Sequence, residues 1–228
     1  MLLARTTAAL ICLCSGTGIL TALSVCKSDP SKDPCSFPER IISTFITQLQ
    51  VAASCAGNGT SALTDKQTAG LLDSVRTLAH ILEEQQTKFC KFDFPNENPE
   101  DVTPNKMCPV PDLHKNGGLV CVTVKQTHYC KPMCNQGYDF SFLRRTRLYE
   151  KCSKDTGYKW TTQHIGGNKL AYCIASPIPV AGSATAYFPK NQDCLKTGKT
   201  DKNGVIDQLV KELETDQTET ENACLICG

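Results

Sequence analysis

The run "CPVPDLHKNGGLVCVTVKQTHYCKPMC" at residues 108–134 holds four cysteines around a stretch, Gly118 to Val124, that is rich in β-branched residues. That composition predicts a strand. Working outward, Cys152 and Cys173 bring the count to six cysteines in 66 residues, and the single tryptophan, Trp160, lies between those last two. Residues 161–165 and 168–174 read as two further strands joined by the two-residue turn Gly166-Gly167. A segment this small has too little apolar surface to fold unaided, so sulfur bridges substitute for core and the indole packs over one of them.

The whole chain extends the argument about sulfur. Fifteen cysteines in 228 residues fit an oxidising compartment far better than a reducing one. Met1 to Arg5 is a short basic start, Thr6 to Leu23 is an apolar run, and Ala22-Leu23-Ser24 offers small residues at the cleavage positions, so residues 1–24 read as a secretory signal peptide. Its removal takes away Cys12 and Cys14 and leaves 13 cysteines, an odd number, so one thiol lacks an internal partner. No later segment is long and apolar enough to span a bilayer. A formal charge of +1 is too balanced for a dedicated nucleic-acid binder that works by neutralising phosphates. The charge is unevenly placed: residues 108–178 hold 10 basic and 4 acidic side chains, and 201–228 hold 2 and 7.

Proline is absent between Arg40 and Phe94 and then recurs at Pro95, Pro99, Pro104, Pro109 and Pro111. This pattern sets a helical region, 25–94, against a Pro-rich linker, 95–107. Ile41, Ile42, Phe45, Ile46 and Leu49 fall at helical spacing after Ser36, a cap with Pro38 in the first turn. Thr64 and Gln67 make a capping box for a second helix, along which Leu71, Leu72, Val75, Leu78, Ala79 and Leu82 form a stripe. The two stripes are expected to face each other as a helical hairpin, with Cys35 and Cys90 placed to join its open end. Asn58, in the turn between the helices, is the N-x-[ST] acceptor and a candidate for glycosylation.

"CNQGYDF" at 134–140, "YEKC" ending at Cys152, "GYKW" ending at Trp160 and then Cys173 resemble the sushi, or complement control protein, module, and "CPVPDLHKNGGLVC" at 108–121 resembles its entry. The resemblance covers under a third of the chain. It departs from the pattern by an additional cysteine pair, a Gly-Tyr-Lys-Trp spacing one residue longer, and the absence of the usual proline before the last cysteine. It implies a compact β module over 108–178 with Cys134 paired to Cys173 and Cys152 paired to Cys108 or Cys121; Cys130 is a further disulfide candidate. It also implies a non-catalytic role in extracellular protein or glycan binding.

Other candidate sites are weaker. Arg144, Arg145 and Arg147, with Lys151, Lys154 and Lys159 nearby, concentrate positive charge that suits sulfate or carboxylate groups of a glycan, or a protein partner; the plain alternative is a solvated surface. Residues 199–207 match the middle of an EF-hand loop. Lys199 and Val210, however, stand where anionic ligands belong, so the run reads as a turn opening a helix with Val205, Ile206, Leu209, Val210 and Leu213 buried. Cys224-Leu225-Ile226-Cys227 is a C-x-x-C without redox context; one of its cysteines is expected to bridge to Cys194, and the other, or Cys26, is the candidate unpaired thiol that links two chains. His80, His114, His128 and His164 are too scattered for a zinc centre, and no catalytic motif or cofactor signature is present.

The sequence therefore predicts a disulfide-rich α+β protein with an N-terminal helical hairpin, a small sushi-like β module, and a C-terminal segment, 179–228, made of a short amphipathic helix and an acidic tail. The expected function is that of a secreted, non-enzymatic extracellular binding protein without a cofactor, whose partner is an extracellular protein or anionic glycan. The alternatives are a matrix component that self-associates or forms a disulfide-linked dimer and, behind it, a secreted enzyme or inhibitor.

Overall fold

The computed structural model describes residues 38–57, 64–92, 107–162, 164–214 and 219–228. Helix and sheet are mixed, and five disulfides are present. The expected signal peptide, Cys26, Cys35, Asn58 and most of the Pro-rich linker lie outside the described residues. The chain divides into two units, residues 1–76 and 77–228.

In the first unit, helix α1 (Pro38–Gly57) opens on the proline expected in its first turn. Helix α2 (Asp65–Phe89), whose residues from 77 onward belong to the second unit, starts at the predicted box: the Thr64 amide donates to Gln67 Oε1 at 3.0 Å and the Gln67 amide donates to Thr64 Oγ1 at 3.3 Å. The expectation of mutually buried stripes fails. Ile42, Ile46, Val51, Leu72 and Val75 are exposed, and no residue of α2 is buried. Capping and periodicity are local and suffice for a helix; burial requires a tertiary partner, which neither property specifies.

The second unit is built on a four-stranded sheet in the order β4-β2-β1-β6, from β1 (Gly117–Val124), β2 (Thr127–Cys134), β4 (Glu150–Cys152) and β6 (Thr220–Cys227). Strands β3 (Tyr138–Phe140) and β5 (Cys173–Ala175) form a separate pair. Helices α3 (Cys194–Thr200) and α4 (Lys202–Glu212) follow. The predicted strand is β1, and every one of its residues is buried because the sheet is covered on both faces. Gly117 and Gly118 let it pass between two bridges: a Cβ on Gly117 would meet Cys173 Sγ, and one on Gly118 would meet Cys194 Sγ and the Ile226 carbonyl. On α4, Val205, Ile206, Leu209 and Val210 are buried as the periodicity predicts, with Leu213 packed against them.

Several expectations are corrected. Cys90 bonds to Cys224, not Cys35, because the end of α2 docks on β6: Gln86 Nε2 donates to the Cys227 carbonyl at 3.2 Å and the Cys227 amide donates to Gln86 Oε1 at 2.9 Å. The acidic tail accordingly ends in a strand of the central sheet, with Cys224 and Ile226 on one face and Ala223, Leu225 and Cys227 on the other. Gly166 and Gly167 do take positive φ, 79° and 61°, but the described residues around them make no hairpin; Cys173 to Ala175 pairs instead with β3.

The remaining bridges are Cys108–Cys152, Cys121–Cys130, Cys134–Cys173 and Cys194–Cys227. Cys194 thus bridges to the tail, and neither tail cysteine is unpaired. Since all ten cysteines from Cys90 onward bond to one another, a bond to a second chain has to run through a cysteine that precedes them.

Candidate functional site

The basic run folds around one carboxylate. Glu150, the first residue of β4, pairs with Cys130 of β2, and its side chain is only 1% exposed, so its charge has to be met inside the protein. Arg144 Nη1 donates to Oε1 at 3.1 Å, and Arg147 Nη2 and Thr161 Oγ1 donate to Oε2, the latter at 3.1 Å. Burial pushes the Glu150 carboxyl above its usual range, and the two guanidiniums pull it only part of the way back.

The three arginines therefore do not form one patch. Arg144 is buried, donates also to the Leu170 carbonyl at 3.3 Å, and lies 5.7 and 5.5 Å from the centroids of the Phe140 and Phe142 rings. It is a structural cation, which corrects its place in the ligand patch. Arg145 is exposed, with Nε donating to the Val180 carbonyl at 2.9 Å. Of the three, Arg147 alone lines an open cleft of about 580 Å³, together with Thr146, Leu148, Tyr149, Lys151, Thr161 and Glu212.

The walls of that cleft are held in place. The Lys151 amide donates to Thr161 Oγ1 and the Thr161 amide donates to the Lys151 carbonyl, each at 3.0 Å, so the backbone beneath the Lys151 side chain is pinned while that side chain stays exposed. Tyr149 meets Tyr129 edge-on, with centroids 5.6 Å apart, which fixes its ring. Glu212 is held by three donor groups: Lys131 Nζ donates to both carboxylate oxygens at 2.7 Å, and Thr185 Oγ1 and Gln208 Nε2 donate to Oε1 at 2.5 and 3.4 Å. Burial lowers the affinity of Lys131 for its proton, and Glu212 opposes that shift.

Sequence reading missed Glu150, Lys131 and Glu212. Glu212 had a signal. It lies seven residues after Val205 and three after Leu209, which places a carboxylate on the apolar stripe of α4, where only a buried cation makes it tolerable. A second, smaller cavity of about 230 Å³ is lined by Thr185, Tyr187, Asp201 and Gln208 among others. Asp139 pins the loop beside that cavity. Burial alone raises its carboxyl, but the Tyr187 hydroxyl and the amides of Val180, Ala181 and Phe140 outweigh this and hold it below the usual carboxylate range.

His114 and His128 are buried in different contacts, with the Met133 carbonyl and Thr123, while His80 lies beside Glu84 and His164 against Phe142. Among the described residues no group of three His, Cys, Asp or Glu side chains is placed to hold a metal ion, and no helix is long and apolar enough to cross a membrane. No family model matches the chain, nor does any curated protein or solved structure.

Proposed function

We propose that the chain is an exported, non-enzymatic binding protein that acts in the extracellular space by recognising a protein or a glycan. The observation that carries this reading is the set of five disulfides closed within residues 90–227, a density that requires an oxidising compartment to form and persist. The bonds Cys134–Cys173 and Cys108–Cys152 are those that the resemblance to a sushi module implies, but the sheet they brace is completed by β6, so the recognition surface is proposed for the whole disulfide-bonded region and not for residues 108–178 alone. The charged groups beneath the cleft support binding over catalysis. Glu150 and Glu212 are each held by three donor groups of the protein in internal ion pairs, the arrangement of structural carboxylates.

The test is a glycan array combined with capture of partners from extracellular fluid by the full chain after secretion. Specific retention of a glycan or a protein is expected. Blanks in both, with the chain shown to be folded and oxidised, overturn the proposal.

A further inference from the structure

We propose that the Arg147–Lys151 cleft binds an anionic oxygen group, sulfate or carboxylate, of an acidic glycan; this rests on the recognition reading above and assigns it a site and a ligand class. Four cations, Arg144, Arg147, Lys151 and Lys131, lie in or directly behind the cleft against two carboxylates, Glu150 and Glu212, a net charge of +2. Each carboxylate is countered by a protein cation, Glu150 by Arg144 and Arg147 and Glu212 by Lys131, so the excess positive charge falls to Arg147 and Lys151 on the cleft wall.

The cations have different tasks. Arg147 is tied to Glu150 through Nη2, which holds the planar guanidinium at the cleft wall at little further entropic cost, and its other N–H groups are the ones that suit an oxyanion. Lys151 contributes a mobile ammonium on a pinned backbone and has no ion-pair partner among the described residues. The Thr146 hydroxyl and the fixed Tyr149 ring add the hydrogen-bonding and stacking surface that a sugar needs, and a free inorganic ion does not use that surface.

The experiment titrates the full secreted chain with a heparin-derived tetrasaccharide, a hyaluronan tetrasaccharide, a neutral dextran oligomer and inorganic sulfate. One or both acidic tetrasaccharides bind, the stronger arm identifying sulfate or carboxylate as the recognised group. Lys151→Gln, a change at an exposed side chain, weakens that binding about tenfold, as expected for a lost charged hydrogen bond, while Lys151→Arg retains it. Lys154→Gln and Lys159→Gln, at exposed lysines that do not line the cleft, leave it unchanged.

Equal losses in all three glutamine variants, or sulfate alone binding as tightly as a tetrasaccharide, overturn the site. If the chain instead captures a protein or a neutral glycan and Lys151→Gln leaves that capture unchanged, the cleft proposal falls and the recognition reading stands. If nothing is bound, both fall.

Discussion

β1 presents Leu119 and Cys121 to one side of the central sheet and Val120, Val122 and Val124 to the other, and the two sides are filled by different chemistry. On the first lie Cys90, Cys108, Cys130, Cys152 and Cys224 with Phe92 and Trp160, whose Nε1 donates to the Pro109 carbonyl at 2.7 Å. On the second lie the aliphatic residues of α4, with one bridge, Cys194–Cys227, at its margin. An amphipathic helix brings its own apolar stripe and fills its face by ordinary burial. The opposite face is covered by chain segments without regular structure, at 90–92, 108 and 160, which contribute one or two apolar side chains each and are fastened by sulfur. Covalent closure is used where secondary structure offers no cover.

The comparison is broken most severely by cutting the longest bridge. Cys90 and Cys224 are 134 residues apart. In the chain-entropy account a loop of that length restricts the unfolded state by about 5 kcal/mol, an upper figure because other bridges already shorten it. The double variant Cys90→Ala/Cys224→Ala is expected to lose most of that in denaturant unfolding, and to lose protection of the β6 amides in hydrogen exchange. On the other face, Leu209→Ala removes a fully buried side chain, and about 3 kcal/mol is the expected cost. The sharper test adds reductant. It should destabilise Leu209→Ala and the parent chain by nearly equal amounts, since four of the five bridges lie outside the cluster that holds Leu209 and only Cys194–Cys227 shares it.

The same contrast explains what could be read in advance. Local signals were legible: the Thr64–Gln67 box, Pro38 at the start of α1, and the stripe of α4 all sit where the residues put them. The central strand was legible because its β-branched run is buried on both faces. The strand at 220–227 was not. Its charge looked like that of a solvated tail, and its place in the sheet depends on pairing with β1, about a hundred residues earlier. Proximity along a hairpin places Cys90 near Cys35, whereas its actual partner follows from where α2 ends. In the cleft, the basic run was visible, but the burial of Arg144 was not. It depends on Glu150, a residue that reads as ordinary surface charge until β4 places it inside.

A pH titration probes the junction beyond the two faces. Burial, set against one hydrogen bond to the Met133 carbonyl and with Arg144 adding repulsion, pushes the His114 imidazole down from 6.5 to about 4. Between those values the unfolded chain takes up a proton that the folded chain refuses. Stability is therefore independent of this group above pH 6.5, falls as the pH drops towards 4, and levels off below. The full difference corresponds to about 3 kcal/mol. Subtracting the stability–pH curve of His114→Gln from that of the parent isolates it; parallel curves between pH 4 and 6.5 would show that the imidazole is not held neutral by burial.

The smallest effect is a gain. The β1–β2 hairpin turns through Lys125 and Gln126, both at positive φ, 46° and 57°, with no glycine at either position. That geometry is the one Asn-Gly adopts most readily in a two-residue hairpin loop, because the short Asn amide hydrogen-bonds locally in the left-handed conformation and Gly has no Cβ to oppose it, whereas Lys and Gln have neither advantage. The hairpin is nonetheless held by eight registered pairs and by Cys121–Cys130, which joins directly opposed residues, so the strain at the turn is carried by the strands. Replacing the pair by Asn-Gly (K125N, Q126G) relieves it and gives up only the exposed Lys125–Glu219 ion pair. A net gain of about 1 kcal/mol is expected, since glycine returns some of the benefit as unfolded-state entropy. The gain should be larger when Cys121 and Cys130 are both alanine, because the turn then has to set the register that the bridge otherwise enforces. An equal gain in both backgrounds would mean that the turn and the bridge act independently.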